Sequence, residues 1–177
     1  VKSLRKHWIF EDSLLQWRSW KWGFLRQKRS ENNAHPHVSD DGNVVAVHNG
    51  IIENYQELKD KLLRKGYAFY SETDTEVAVK LVDYYYKKYE GTPVDAINHA
   101  MVRIRGSYAL AIMFKDYPEE IYVARKDSPM ILGVEDGESY IASDVPAILR
   151  YTKDYYLLDS LSVFENIMLP MILDHKD

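Results

Sequence analysis

The order of patterns along the chain predicts an α+β fold of layered helices and sheets. Three helical patterns are grouped between residues 54 and 101, four strand-like runs are grouped between 107 and 143, and a β-branched run precedes both. Helices followed by strands argue against alternating βαβ units. At 177 residues the chain has room for one domain with its own core, or for a fragment of a larger protein. Its 46 % hydrophobic and 28 % charged content is that of a globular chain, not a disordered one.

Each element has a local reason. Asn43–His48 (NVVAVH) reads as a buried strand. Asn54–Lys65 reads as a helix, with Asn54 as cap, Glu57 three residues on, and Tyr55, Leu58 and Leu62 on one face. Gly66 then stops it. Thr73-x-x-Glu76 is a second capping box, opening a helix whose apolar stripe is Ala78, Leu81, Val82, Tyr85 and Tyr89. Thr92 and Pro93 begin a third helix, with Val94, Ile97 and Met101 inward. Strands are expected at Ser107–Phe114, Glu120–Ala124, Met130–Val134 and Tyr140–Ser143, separated by Gly or acidic turn residues.

The two ends have a different texture. Residues 1–29 carry a net charge of +6 and all 4 tryptophans, Trp8, Trp17, Trp20 and Trp22, whereas the remainder carries −10. A basic, Trp-rich leader suits an interfacial membrane helix or a nucleic-acid arm, but its apolar residues keep no steady period and offer neither a face. At the other end, Ser162-x-x-Glu165 is a candidate cap for a helix bearing Val163, Phe164, Ile167 and Met168, disturbed by Pro170. The overall charge of −4 gives no ground for a nucleic-acid partner. No apolar run approaches the roughly eighteen residues that span a bilayer, and no secretory signal pattern is visible, so no membrane partner and a cytoplasmic location are expected. There is no cysteine, which excludes disulfides, thiolate metal sites and a cysteine nucleophile from these residues.

Three places could carry chemistry. Asn49-Gly50 between apolar runs is a strong hairpin signal. Equally, a strand ending in Asn-Gly leaves an amide side chain and an unhindered backbone N–H side by side, two donors that suit the oxyanion of an acyl-transfer intermediate. Asp74, in Ser71-Glu72-Thr73-Asp74-Thr75-Glu76, is explained by the helix macrodipole or, alternatively, as the counter-ion of a substrate ammonium group. His35-Pro36-His37 hints at a metal site that His48 and Asp40 would complete, but two imidazoles are too few for a closed site, and a polar loop is the better reading.

In combination these pieces resemble the glutaminase domain of glutamine–fructose-6-phosphate aminotransferases, class II glutamine amidotransferases of the glucosamine-6-phosphate synthase type. The match is carried by Asn33-Ala34-His35-Pro36-His37, Val47-His48-Asn49-Gly50-Ile51-Ile52-Glu53-Asn54 and Ser71-Glu72-Thr73-Asp74-Thr75-Glu76. It continues through Arg105-Gly106-Ser107-Tyr108-Ala109, Ala124-Arg125, Ser128-Pro129 and Ile141-Ala142-Ser143-Asp144, covering roughly residues 30–158. The resemblance implies an N-terminal-nucleophile hydrolase fold, two antiparallel sheets between helical layers, here incomplete at the N-terminus. It implies glutamine as substrate, attacked by an N-terminal Cys whose own α-amino group is the base, with release of ammonia. Asn49 and Gly50 match the oxyanion hole, Asp74 the residue that takes the α-ammonium group, and His35 a position lining the pocket. No metal and no cofactor are implied. The parent enzymes are homo-oligomeric and pass ammonia to a C-terminal sugar isomerase domain that is absent from these residues.

The departures are as informative as the match. The family's initial Cys-Gly-Ile has no counterpart here. Trp22-Gly23-Phe24-Leu25-Arg26-Gln27 stands where the family has Arg-Trp-Ala-Thr-His-Gly, whose arginine holds the substrate carboxylate. Asp127 replaces a usual Gly, and a lost φ > 0 position would strain a turn. The expected organisation is therefore a leader at 1–29 read out of frame or genuinely diverged, a partial glutaminase domain at 30–158, and a tail at 159–177. The stretch Leu158–Pro170 in that tail is similar to a segment of ATP-binding-cassette ATPases, without their phosphate loop. The chain as written is expected to be catalytically inactive. A non-catalytic glutamine-binding or regulatory module, and a misfolded remnant with unpaired strand edges, are the competing expectations.

Overall fold

The computed structural model describes residues 7–10, 15–16, 31–135 and 138–157. The tail, with its candidate helix and its ATPase-like segment, lies outside the described residues. Two sheets form the centre of the fold. The first has the order β3-β4-β5-β6, built from His37–Val38, Val44–Ile52, Gly106–Phe114 and Tyr117–Lys126, all antiparallel. The second has the order β2-β1-β8-β7-β9, built from Leu15–Gln16, His7–Phe10, Glu138–Ala142, Ile131–Glu135 and Tyr155–Leu157. Helices α1 (Tyr55–Leu63), α2 (Asp74–Tyr89) and α3 (Pro93–Met101) lie between β4 and β5 in sequence.

Alternation along the strands sorts the apolar residues into layers. Val44, Ala46, Leu110, Ile112 and Ala124 face the helices, in one core with Leu58, Leu62, Val77, Leu81, Ile97 and Met101. Their strand neighbours Ala109, Ala111 and Val123 face the other way and meet Leu132 and Ile141 of the second sheet, together with Met130 just before β7. The far side of that sheet, Ile131, Tyr140 and Ala142, is covered by Ala147 and Ile148 of the single-turn helix α4 (Val145–Ile148). The order is helix, sheet, sheet, helix, as expected, with the outer helical layer reduced to one turn. Among the described residues no helix is long and apolar enough to cross a membrane.

Several local expectations need correction. Asn54 precedes α1 but makes no capping bond with its side chain. Its amide instead donates to the Arg103 carbonyl at 2.9 Å and accepts from the Arg105 N–H at 2.9 Å, joining the start of α1 to the approach to β5. Tyr55 and Tyr89, placed on inward stripes, are exposed at 37 % and 48 %. The leader is not without structure. His7–Phe10 (HWIF) is aromatic and β-branched, too short to show a period, yet it pairs with β8 and with β2. Its pairing with β8 is parallel, an exception to the two purely antiparallel sheets expected, and it takes up an edge of β8 that the remnant reading would have left unpaired. Asp127 does occupy a left-handed conformation, φ 58°, as its replacement of glycine predicts.

Candidate functional site

Asn49 and Gly50 do not turn the chain. Strand β4 continues to Ile52, and the two residues pair with Ala109 and Tyr108 of β5, so neither the hairpin nor a strand ending at Asn-Gly is what forms. Glycine is required because φ is +125° and a Cβ would collide with the Ser107 carbonyl and come within 2.9 Å of the Tyr108 Cα. Asn49 is half-buried on the face it shares with Val47 and Ala109, which looks toward the second sheet, and Gly50 is exposed.

Asp74 begins α2, directly after the cap Thr73, whose hydroxyl accepts from the Glu76 N–H. Its Oδ2 accepts from the Ile52 N–H at 2.9 Å, which ties the helix start to the end of β4. Its Oδ1 lies 3.6 Å from Nδ1 of the buried His48. Burial alone would raise its pKa. The neighbouring imidazole and the Ile52 N–H outweigh that and hold the carboxyl below its ordinary 3.8, so it is ionised at neutral pH. His35 is half-buried, and its Nε2 lies 3.0 Å from the Thr75 hydroxyl. The same hydroxyl is 3.2 Å from His48 Nδ1. One residue of α2 thus joins His35 to the Asp74–His48 pair.

His37 corrects the polar-loop reading. It is a fully buried residue of β3, with Nδ1 3.0 Å from the Tyr70 hydroxyl and Nε2 2.9 Å from the Thr73 hydroxyl. With both nitrogens so engaged, the imagined ligand set of His35, His37, His48 and Asp40 is not assembled, and no group of three or more such side chains forms a metal site among the described residues. Beneath this layer, the buried Glu76 carboxylate accepts from the Tyr70 N–H, the Ser71 N–H and the Ser71 hydroxyl, and pairs with Lys80 at 2.6 Å. The pKa of Glu76 is below 4.5, because these donors and Lys80 overcome its burial. His35, Asp74, Asn49 and Gly50 are visible as site residues in the sequence, whereas Thr75 is not, and Glu76 shows there only as part of a cap. The density of hydroxyl and carboxyl groups over 71–76 was the available signal.

A family profile described as a glutamine amidotransferase domain matches residues 25–150. The chain belongs to the glutamine amidotransferase family. Over 130 residues, 73 % of its length, this glutamine amidotransferase domain is 52 % identical to the glutamine–fructose-6-phosphate aminotransferase (isomerizing) of Caldanaerobacter subterraneus. It is 50 % identical over 130 residues to the enzyme of the same name from Pyrococcus horikoshii. The chain spans 21 % and 22 % of the length of these two curated relatives. Among solved structures it is similar to the glutamine phosphoribosylpyrophosphate amidotransferase of B. subtilis, with TM-score 0.53 and 26 % identity over 67 % of this chain and 26 % of that one. It is also similar to an allosteric regulatory enzyme of purine biosynthesis, with TM-score 0.57 and 26 % identity over 70 % and 26 % of the two chains. The αββα layering is therefore that of class II, N-terminal-nucleophile-type glutamine amidotransferases.

Proposed function

We propose that this amidotransferase domain binds glutamine beside α2, and that it derives from an enzyme supplying ammonia for glucosamine 6-phosphate synthesis from fructose 6-phosphate. The supporting observation is the ionised Asp74 carboxylate held on the Ile52 N–H, three residues along β4 from Asn49. In this reading Asp74 takes the substrate α-ammonium group. The Asn49 amide and the Gly50 N–H receive the amide oxygen as it gains charge, and His35 lines the pocket. These 177 residues hold no thiol, so the polypeptide they form binds the amide without breaking it. The amidotransferase unit is proposed to extend over 30–158, between a leader at 1–29 and a tail at 159–177 of other origin. A sugar isomerase domain, a homo-oligomeric parent enzyme and a cytoplasmic location belong to the same reading, and neither nucleic acid nor membrane has a place in it.

Calorimetry with glutamine on the 177-residue chain, beside an ammonia assay, tests this. Saturable heat that Asp74→Ala abolishes, with no ammonia above background, is expected. An unchanged isotherm for Asp74→Ala defeats the ammonium assignment, and ammonia release defeats the claim of inactivity.

A further inference from the structure

Thr75 is almost fully buried, 2 % exposed, and its hydroxyl lies between two imidazole nitrogens, His48 Nδ1 at 3.2 Å and His35 Nε2 at 3.0 Å. A hydroxyl has one proton and two lone pairs, so it donates to one ring at most and can accept from the other. The direction is decided at His48. Its Nε2 is buried with no hydrogen-bond partner among the described residues, while its Nδ1 faces both the Thr75 oxygen and, at 3.6 Å, the ionised Asp74. A proton on Nε2 would leave a buried N–H with nothing to accept it, and an orphan donor is among the rarest features of protein interiors. A proton on Nδ1 lies instead in the field of a carboxylate.

We propose that Thr75 is a positioning residue of the glutamine site, carrying a one-way relay from His48 Nδ1–H through its hydroxyl to His35 Nε2. Both imidazoles thereby carry their proton on Nδ1. The geometry stands by itself, whereas the effect on glutamine rests on the reading above. With Thr75 accepting from His48, the imidazole N–H is shared, and the Asp74 oxygen keeps capacity for a substrate ammonium. Without that acceptor, His48 turns its whole N–H on Asp74 and competes with the ligand. His37 supplies an internal contrast. The Tyr70 hydroxyl accepts from the Val38 N–H and donates to His37 Nδ1. His37 Nε2–H then feeds the Thr73 hydroxyl, the Ser71 hydroxyl and finally the Glu76 carboxylate. His37 is therefore the opposite tautomer.

Long-range ¹H–¹⁵N correlation spectra of the histidine rings in the full chain, assigned by single His→Gln variants, read this directly. His48 and His35 are expected as Nδ1–H, and His37 as Nε2–H. Thr75→Ser keeps the pattern and glutamine affinity within about twofold. Thr75→Val releases His35 from the Nδ1–H form, leaves His37 untouched, and weakens glutamine binding about tenfold, the scale of one lost hydrogen bond. His48 found as Nε2–H or doubly protonated in the unaltered chain overturns the relay, whatever the variants do. Affinity for Thr75→Val equal to that for Thr75→Ser overturns its positioning role. Absence of glutamine binding in the unaltered chain defeats the glutamine reading, and the ring spectra still decide the relay.

Discussion

Gly50 and Asp127 are two of the residues where backbone conformation favours glycine, and the chain has it at one and not at the other. At Gly50, φ is +125° and the Ser107 carbonyl fills the space of a side chain. Gly50→Ala is expected to cost about 2–4 kcal/mol, a strained conformation plus a backbone displacement, measured by urea unfolding. At Asp127, φ is 58° without that crowding argument, and Asp127→Gly is expected to raise stability by about 0.5–1 kcal/mol. An Asp127→Gly midpoint at or below that of the parent chain would show that the aspartate side chain compensates its own strain. The residue scale also explains why Asn54 fails as a cap. Its amide has better partners in the Arg103 carbonyl and the Arg105 N–H, which are distant in sequence but adjacent at the β4–β5 junction.

Helix α2 shows at the scale of an element how one pattern admits two meanings. Glu76, Lys80, Asp83 and Lys87 recur at intervals of four, three and four and share a face. Such a row of i,i+4 pairs ordinarily marks a solvated surface. Here Glu76, Lys80 and Asp83 are buried, because the segment after α1 lies across them and Asp40 and Asp41 descend onto Lys80 and Lys87 at 2.7 Å each. Lys80 also donates to the Ala68 carbonyl, and Tyr67 donates to Asp83 at 2.9 Å. The clamp fixes residues 67–73, hence the Thr73 cap and the direction in which Asp74 points. Glu76→Leu strands the Tyr70 and Ser71 N–H groups and removes one of two carboxylates from Lys80, so a loss of about 3–5 kcal/mol is expected. Lys80→Met leaves Glu76 its three donors from residues 70 and 71 and should cost less. Denaturation of the two variants in parallel checks the ranking, and a larger loss for Lys80→Met would mean that the lysine, not the carboxylate, organises the clamp.

Over the whole molecule, the buried titratable groups give stability a definite pH profile. The pKa of His37 is below its ordinary 6.5, chiefly through burial, so the unfolded chain binds that proton first as pH falls. Its contribution is complete above 6.5 and is lost as pH falls through the folded-state value. Glu76 and Asp74 lie below 4.5 and 3.8 for the reasons given above, and their contributions are lost in a second, more acidic window. Thermal stability is therefore expected to fall below about pH 6.5 and again below about pH 4.5. A transition temperature constant between about pH 7 and about pH 5 would show that His37 is protonated in the fold with little penalty.

Much of this protein is legible in its sequence because the relevant forces are local. Helices α2 and α3 with their Thr73 and Thr92 caps, the stop at Gly66 and the grouping of helices before strands all follow from contacts within a few residues. Family membership is legible for the same reason, since its motifs are contiguous strings. The need for a left-handed residue at Asp127 follows instead from the resemblance, which has glycine there. Tertiary structure alone decided that β4 runs through Asn49-Gly50, because only the approach of β5 makes that glycine a strand residue. It also decided that His37 is core and not loop, and that the charged row of α2 is interior. Above all it decided that Thr75 joins His35 to His48 and Asp74, across 40 and 27 residues of chain for the two imidazoles. Hydrogen-bond partners at such separations are set by how layers stack, and no period or spacing in the chain encodes them.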